Sequence, residues 1–321
     1  MTENRNTVPT MMHAVVIDGF GGPDVLRATE LPVPTPGDGE VLIRVRAVGV
    51  NAIDWETRSG QGVGVPEFPA LLGWDLSGSV AALGPGVDTF AVDDEVFGMP
   101  FFPELAGGYA QYAVAPVGAL ARKPKRLGHH TAAGAPMVAL TAWQSLVTHA
   151  EVGAGQRVLV SGAAGGVGHV AVQLAKAAGA FVIGTASAAN HDFLRSLGAD
   201  QVIDYTRRPI AQLVEKVDVV LDPRGGEDFA ELLDVLRPGG IIVTLKGEQP
   251  GHRELVASRG MRVGYAYVAP DGATLGRIAQ RLEDGQLHIA VERVFPLAEA
   301  AAAHRLGEAG HVRGRLVLDV G

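Results

Sequence analysis

Two textures of apolar and polar positions divide the chain. From Met12 to about Arg122, short alternating or apolar runs ("HAVVI", "EVLIRVRAVGV", "SGSVAAL", "YAQYAVAP") are separated by Gly- and Pro-rich stretches such as "PVPTPGDGE" and "LGPGVDTF". A period of two between turn-forming residues marks strands, and this spacing predicts a small, partly open β-barrel. From about Lys123 to Tyr265, helical patterns alternate with the apolar runs "RVLVSGA", "FVIGTA", "QVIDY", "VDVVLD" and "GGIIVTL". Strands covered on both faces read as continuous apolar runs, so this alternation predicts an α/β domain with a doubly wound parallel sheet. Beyond it, "DGATLGRIAQRLEDGQL" has a helical period, "AEAAAAHRLGEAG" reads as a surface helix, and "RGRLVLDV" reads as a strand.

The most specific signal is "VLVSGAAGGVGHVAVQLAKAAGAFVIGTAS", Val158 to Ser187. A strand, a small-residue turn, a helix and a second strand form the unit that wraps a dinucleotide pyrophosphate. Three glycines serve it: one for the tight turn, one for close backbone approach to phosphate, one for helix–strand packing. Here Ala163, Gly165 and Gly168 take those places, with Gly162, Ala164, Gly166 and Val167 beside them, so the first glycine is an alanine. An ordinary strand-turn-helix is the competing reading, and the second strand arriving on schedule favours the cofactor.

The end of that second strand selects the dinucleotide. A carboxylate there would bind the ribose 2′-hydroxyl of NAD and repel the 2′-phosphate of NADP. The strand ends Gly184-Thr185-Ala186-Ser187, and no Asp or Glu occurs between Glu151 and Asp192, so NADPH is the expected cofactor. Ala188 and Ala189 stand where a basic residue could clamp the phosphate. Thr185, Ala186, Ser187, Asn190 and Tyr205 are the candidates on this side, and Arg207 and Arg208 follow; each also reads as a plain turn residue.

Composition narrows the partners. At 321 residues the chain exceeds the size of about 250 to 300 at which single cores stop growing, so two domains are expected. A net charge of −8 with no basic stripe argues against nucleic acid. No apolar run reaches the roughly 18 residues of a membrane span, and the opening residues lack a secretory pattern, which makes the cytoplasm the expected compartment. The chain has no cysteine, which excludes disulfides, thiolate nucleophiles and Cys-ligated zinc. The ten histidines are scattered, and His129-His130 read as solvated residues on different faces.

Eight stretches, "GVNAIDWETRSG", "GWDLSGSV", "GGYAQYAV", "ALTAWQSL", "SGAAGGVG", "LGADQVIDY", "LRPGGIIV" and "GHVRGRLVLDV", occur in the order and spacing of the medium-chain dehydrogenase/reductase superfamily. Together they resemble its zinc-independent NADPH:quinone oxidoreductase branch, similar to zeta-crystallin. The resemblance implies a GroES-like substrate domain over residues 1–122 and 267–321, a Rossmann domain over 123–266, an NADPH in the cleft, and commonly a homodimer. In zinc-dependent relatives a cysteine stands at the position of Asn51 and a Gly-His-Glu at Gly73-Trp74-Asp75. Without a Lewis acid a simple ketone is a hard acceptor, whereas a quinone or enone spreads the developing charge over its own π-system.

By the same resemblance, Asn51 and Asp54 would lie near the nicotinamide ribose, although an aspartate there also reads as a helix cap. Trp55 stands where some members carry a tyrosine proposed to assist proton transfer; an indole N–H is a poor acid, and a packing role is the other reading. Thr141 would contact the nicotinamide face, and Leu245, Tyr267 and Val268, which follow the last Rossmann strands, would border the cofactor; each of the four also reads as plain packing. The expected activity is NADPH-dependent hydride transfer to quinones or activated alkenes. An enoyl or enone reductase of a biosynthetic pathway, and a non-enzymatic NADPH-binding module, are the alternatives. The apolar run "GMRVGYAYV" would leave a sticky sheet edge, which suggests edge-to-edge pairing in a dimer.

Overall fold

The computed structural model describes residues 8–206, 209–225 and 229–321; Arg207 and Arg208 lie outside the described residues. Two compact units emerge, one running up to Met137 and resuming over Pro270–Gly321, the other Val138–Ala269.

In the first unit, β1 (Met11–Ile17) pairs antiparallel with β2 (Leu26–Pro32). β3 (Glu40–Val50) leads into α1 (Ala52–Arg58), and β4 (Ala70–Leu71) completes a three-stranded sheet of order β2-β1-β4. β5 (Asp75–Leu83), β6 (Glu95–Gly98), β7 (Tyr112–Pro116), β8 (Leu120–Arg122) and the short α2 (His129–Ala133) follow. The unit boundary then falls in sequence within α3 (Pro136–Trp143).

The second unit contains β9 (Arg157–Val160), α4 (Gly166–Ala177), β10 (Phe181–Thr185), α5 (His191–Ser196), β11 (Gln201–Ile203) and β12 (Val217–Asp222). α6 (Phe229–Val235), β13 (Leu236–Thr244), α7 (His252–Ser258) and β14 (Arg262–Tyr265) complete it. The six strands form one parallel sheet of order β11-β10-β9-β12-β13-β14, the doubly wound arrangement that the apolar runs predict. Leu159, Ile183 and Val220 from its strands pack with Leu232, Leu236 and Val256 in one core.

Back in the first unit, α8 (Gly272–Glu283) is capped by Asp271, whose carboxylate accepts from Thr274 N at 2.9 Å. Its buried Leu275, Ile278 and Leu282 recur at helical spacing. β15 (Val291–Pro296), α9 (Ala300–Glu308) and β16 (Arg315–Asp319) then close a seven-stranded sheet of order β15-β16-β3-β5-β6-β8, with β7 on β3. Ile17, Ile43, Leu72, Leu76 and Val96 fill its core together with Phe295 and Leu316, so both ends of the chain build one hydrophobic centre.

Three details depart from the sequence reading. Residues 123–137 belong with the barrel rather than the parallel sheet: Ala133 packs with Ala47 and Val317, and Met137 N donates to Asp75. The Ala-rich helix α9 buries one face, including Ala300, Ala303 and His304. His129 is half-buried and bonded to Ser77 Oγ at 2.9 Å and Glu95 at 3.1 Å, because α2 lies on the barrel sheet instead of in solvent.

Candidate active site

The second unit gathers most of the expected cofactor residues along one edge of its sheet. Ser161 to Gly165 follow β9, Ala186 to Asn190 follow β10, Tyr205 follows β11, Leu245 follows β13, and Tyr267 and Val268 follow β14. All of these lie past the carboxyl ends of parallel strands, where open α/β sheets bind ligands. Thr141 is buried within α3.

The turn after β9 is shaped as a cradle. Gly162 has φ +57, a left-handed conformation that favours glycine, so the turn residue is Gly162 and the alanine at 163 breaks no rule. Ala163 N donates to Thr185 O at 2.9 Å, and Gly162 N donates to Thr185 Oγ1 at 3.2 Å, which ties the turn to the end of β10. Gly165 caps α4, leaving the first N–H groups of the twelve-residue helix without intrahelical acceptors. A Cβ on Gly168 would lie 2.7 Å from Ala163 Cα and closer still to the Gly162 carbonyl oxygen, so only glycine lets the helix approach here. A helix N-terminus over bare backbone suits a pyrophosphate, and these residues fit a dinucleotide.

Past β10, Ala186 is only 3% exposed and its N–H donates to Ile203 O at 3.0 Å. Ser187 is the first partly accessible residue beyond the strand, and Asn190 is also half-buried. Arg224, after β12, was missed by sequence reasoning: its guanidinium carbon stands 5.5 Å from the centroid of the Tyr205 ring. Its place just past the end of a parallel strand is the signal that could have found it.

In the first unit, Asn51, Asp54 and Trp55 come together at the start of α1. Asp54 accepts from Asn51 N at 2.7 Å through one carboxylate oxygen and from Gly73 N at 3.0 Å through the other. Both oxygens are thus spent on backbone amides, the cap arrangement. Burial pushes the Asp54 carboxyl up to about 7, with the charge of Asp75 adding and the two amides opposing. Asn51 Nδ2 donates to Asp75 Oδ2 at 3.0 Å, and Arg315 Nη2 donates to the same oxygen at 2.8 Å. Burial raises Asp75 to about 6 against the pull of Arg315.

Trp55 turns toward α9. Its ring meets His304 edge-on with centroids 6.2 Å apart, and a Cβ on Gly307 would come within 2.5 Å of it. His304 belongs to a buried polar chain that sequence reasoning also missed. Arg58, itself bonded to Glu308 at 2.5 Å, donates to His304 Nδ1 at 3.2 Å. Because arginine only donates, the ring proton sits on Nε2 and points to Tyr109 Oη at 2.9 Å. Burial, helped by Arg58, lowers His304 to about 3, so it is neutral.

Residues 37–125 match the family described as alcohol dehydrogenase GroES-like domain, and residues 197–318 the one described as zinc-binding dehydrogenase. Over 358 aligned residues the chain is 34% identical to the NAD(P)H oxidoreductase RTN4IP1, mitochondrial, of Danio rerio, spanning 97% of this chain and 92% of that protein. It is also 34% identical to the NADPH-dependent alkenal/one oxidoreductase, chloroplastic, of Arabidopsis thaliana, over 97% of this chain and 80% of that protein. Among solved structures, the quinone oxidoreductase from Coxiella burnetii aligns with a TM-score of 0.92 and 36% identity, covering 97% of this chain and 100% of that one.

Zinc, which one of these descriptions names, is not matched by the donor set. Trp74 is buried with its indole N–H on Glu104 O at 2.7 Å, and offers no ligand atom. The amide of Asn51 and the carboxylate of Asp75 are engaged with each other and with Arg315 and Met137 N. No group of three or more His, Cys, Asp or Glu able to hold a metal occurs among the described residues.

Proposed function

The chain belongs to the medium-chain dehydrogenase/reductase superfamily, in its quinone oxidoreductase branch, and from that premise we propose that it transfers hydride from NADPH to quinones or to alkenes conjugated with a carbonyl. It is an oxidoreductase with a nicotinamide cofactor. The observation that carries the choice of acceptor is the pairing of Asn51 with Asp75 and Arg315, which commits those polar groups to one another. An acceptor that delocalises its own developing charge suits such a site.

NADPH, when bound, supplies the hydride. The turn from Gly162 to Gly168 and the first amides of α4 hold the pyrophosphate, and Thr185 fixes that turn. Thr141, Leu245, Tyr267 and Val268 are assigned to the nicotinamide side, and Ser187, Asn190 and Tyr205 to the adenosine side. In the substrate unit, Asn51 and Asp54 are assigned to the nicotinamide and its ribose, Asp54 acting by fixing the Asn51 backbone, and Trp55 supplies packing. Rate enhancement then rests on holding two planar groups together and excluding water.

A two-fold dimer through β14, one of the two edge strands of the six-stranded sheet, is part of this proposal. A cytoplasmic location is also part of the proposal, although two of the relatives named above are mitochondrial and chloroplastic; among the described residues no helix is long and apolar enough to cross a membrane.

Steady-state oxidation of NADPH and NADH with benzoquinones, enones and saturated ketones, before and after EDTA, tests the reading. Turnover of quinones or enones that survives chelation is expected. Turnover confined to saturated ketones, lost with EDTA and restored by zinc, would overturn it.

A further inference from the structure

The end of β10 carries neither the acid that selects NAD nor, at Ala188 and Ala189, a base that would hold the extra phosphate of NADP. A cation reaches the same region from another strand. Arg224 sits two residues past β12, in a loop fixed by Asp222, whose Oδ1 accepts from Arg224 N at 3.2 Å and Gly225 N at 3.1 Å.

From there the side chain crosses the glycine turn. Its Cδ and Cγ would stand 3.4 and 3.5 Å from a Cβ on Gly162, van der Waals distance, so the arginine stem lies directly against the turn. The guanidinium then lies over the Tyr205 ring. Thr185 and Ile203 are register partners in β10 and β11, so Tyr205, two residues beyond Ile203, stands past the β10/β11 end of the sheet. That is the side on which the fold places the adenosine ribose, whereas the pyrophosphate belongs at the turn the stem has already passed.

We propose that Arg224 is a specificity-determining cation, clamping the adenosine 2′-phosphate from the β12 loop with the Tyr205 ring as its backstop. The proposal rests on the NADPH reading above. A guanidinium suits the role: it stays charged at any working pH, presents a planar fork to phosphate oxygens, and keeps an aromatic face beneath it while doing so. Since Arg224 is exposed, the loop can lose the charge without losing its core.

Fluorescence titration with NADPH and with NADH, without an acceptor, reads binding apart from turnover. Arg224→Met keeps the stem and removes the charge; it is expected to weaken NADPH by about ten- to a hundredfold while changing NADH by less than about threefold. Arg224→Lys should recover part of the loss, and melting temperatures of both variants should match the parent. Equal weakening of both dinucleotides would place Arg224 at the pyrophosphate or adenine and overturn the assignment, as would no change in either. A parent protein that binds NADPH no tighter than NADH would instead defeat the NADPH reading itself, before any variant is made.

Discussion

The guanidinium of Arg315, at the start of β16, meets the carboxylate of Asp75, at the start of β5, at 2.8 Å with both side chains withheld from water. Arg315 Nε also donates to Gly134 O at 2.8 Å, and the second oxygen of Asp75 accepts from Met137 N at 2.7 Å. A buried ion pair is costly to half-remove, because the survivor is left charged and desolvated. Arg315→Met should therefore lower unfolding free energy by about 3 to 5 kcal/mol, whereas Arg315→Met combined with Asp75→Asn should recover part of that loss. Urea unfolding measures both. A single-variant loss below about 1 kcal/mol would show the pair to be solvated.

Asp54 and His304 pull stability in opposite directions on acidification. The Asp54 carboxyl is raised from 3.8 to about 7 by burial, so its contribution is fully present below about pH 4 and is lost as pH rises through 7. The His304 imidazole is lowered from 6.5 to about 3, so its contribution is present above pH 6.5 and is lost as pH falls through 3. Between pH 4 and 6.5 the two oppose each other. Relative to the parent, Asp54→Asn should lose stability on going from pH 7 to pH 5, and His304→Gln should gain it, each by at most about 1.4 kcal/mol per pH unit. Urea midpoints at both pH values decide; profiles parallel to the parent would count against the assignment.

Gly168→Ala tests the cradle. The added methyl would meet Ala163 Cα at 2.7 Å, backbone that cannot rotate away, so α4 must lift from β9. A stability loss of about 1 to 3 kcal/mol is expected, together with at least about tenfold weaker dinucleotide binding. Gly276→Ala, on the solvent face of α8 with nothing within 4 Å of its added Cβ, is the control: it should leave dinucleotide binding unchanged and raise stability by about 0.5 to 1 kcal/mol through helix propensity.

Ser187→Asp tests the choice of dinucleotide. Ser187, unlike the buried Ala186, is accessible enough to carry a charge beside the ribose. Two unit charges about 4 Å apart repel by roughly 4 kcal/mol at an effective dielectric near 20, and salt reduces this. The ratio of kcat/KM for NADPH over NADH should fall by about ten- to a hundredfold. An unchanged ratio would mean that residue 187 does not face the 2′ position.

The two kinds of sheet and the dinucleotide turn are legible along the chain, since both are written in local pattern. Short apolar-rich runs such as "VDVVLD", set between helical patterns, read as strands covered on both faces, and Gly165 to Gly168 announce a helix brought close to a strand. Even there, which residue takes the left-handed turn had to come from the backbone, because the fingerprint spacing puts the first glycine's place at Ala163 whereas the positive φ falls on Gly162. Who meets whom across long separations is visible only in the folded chain. Asp75 and Arg315 are 240 positions apart, and nothing local to either marks the other as its partner. The same holds for Trp55 against Gly307, for the chain from Arg58 through His304 to Tyr109, and for Arg224 over Tyr205. Hydrophobic period fixes which face of an element is buried, but the partner found on that face depends on the path of the whole chain.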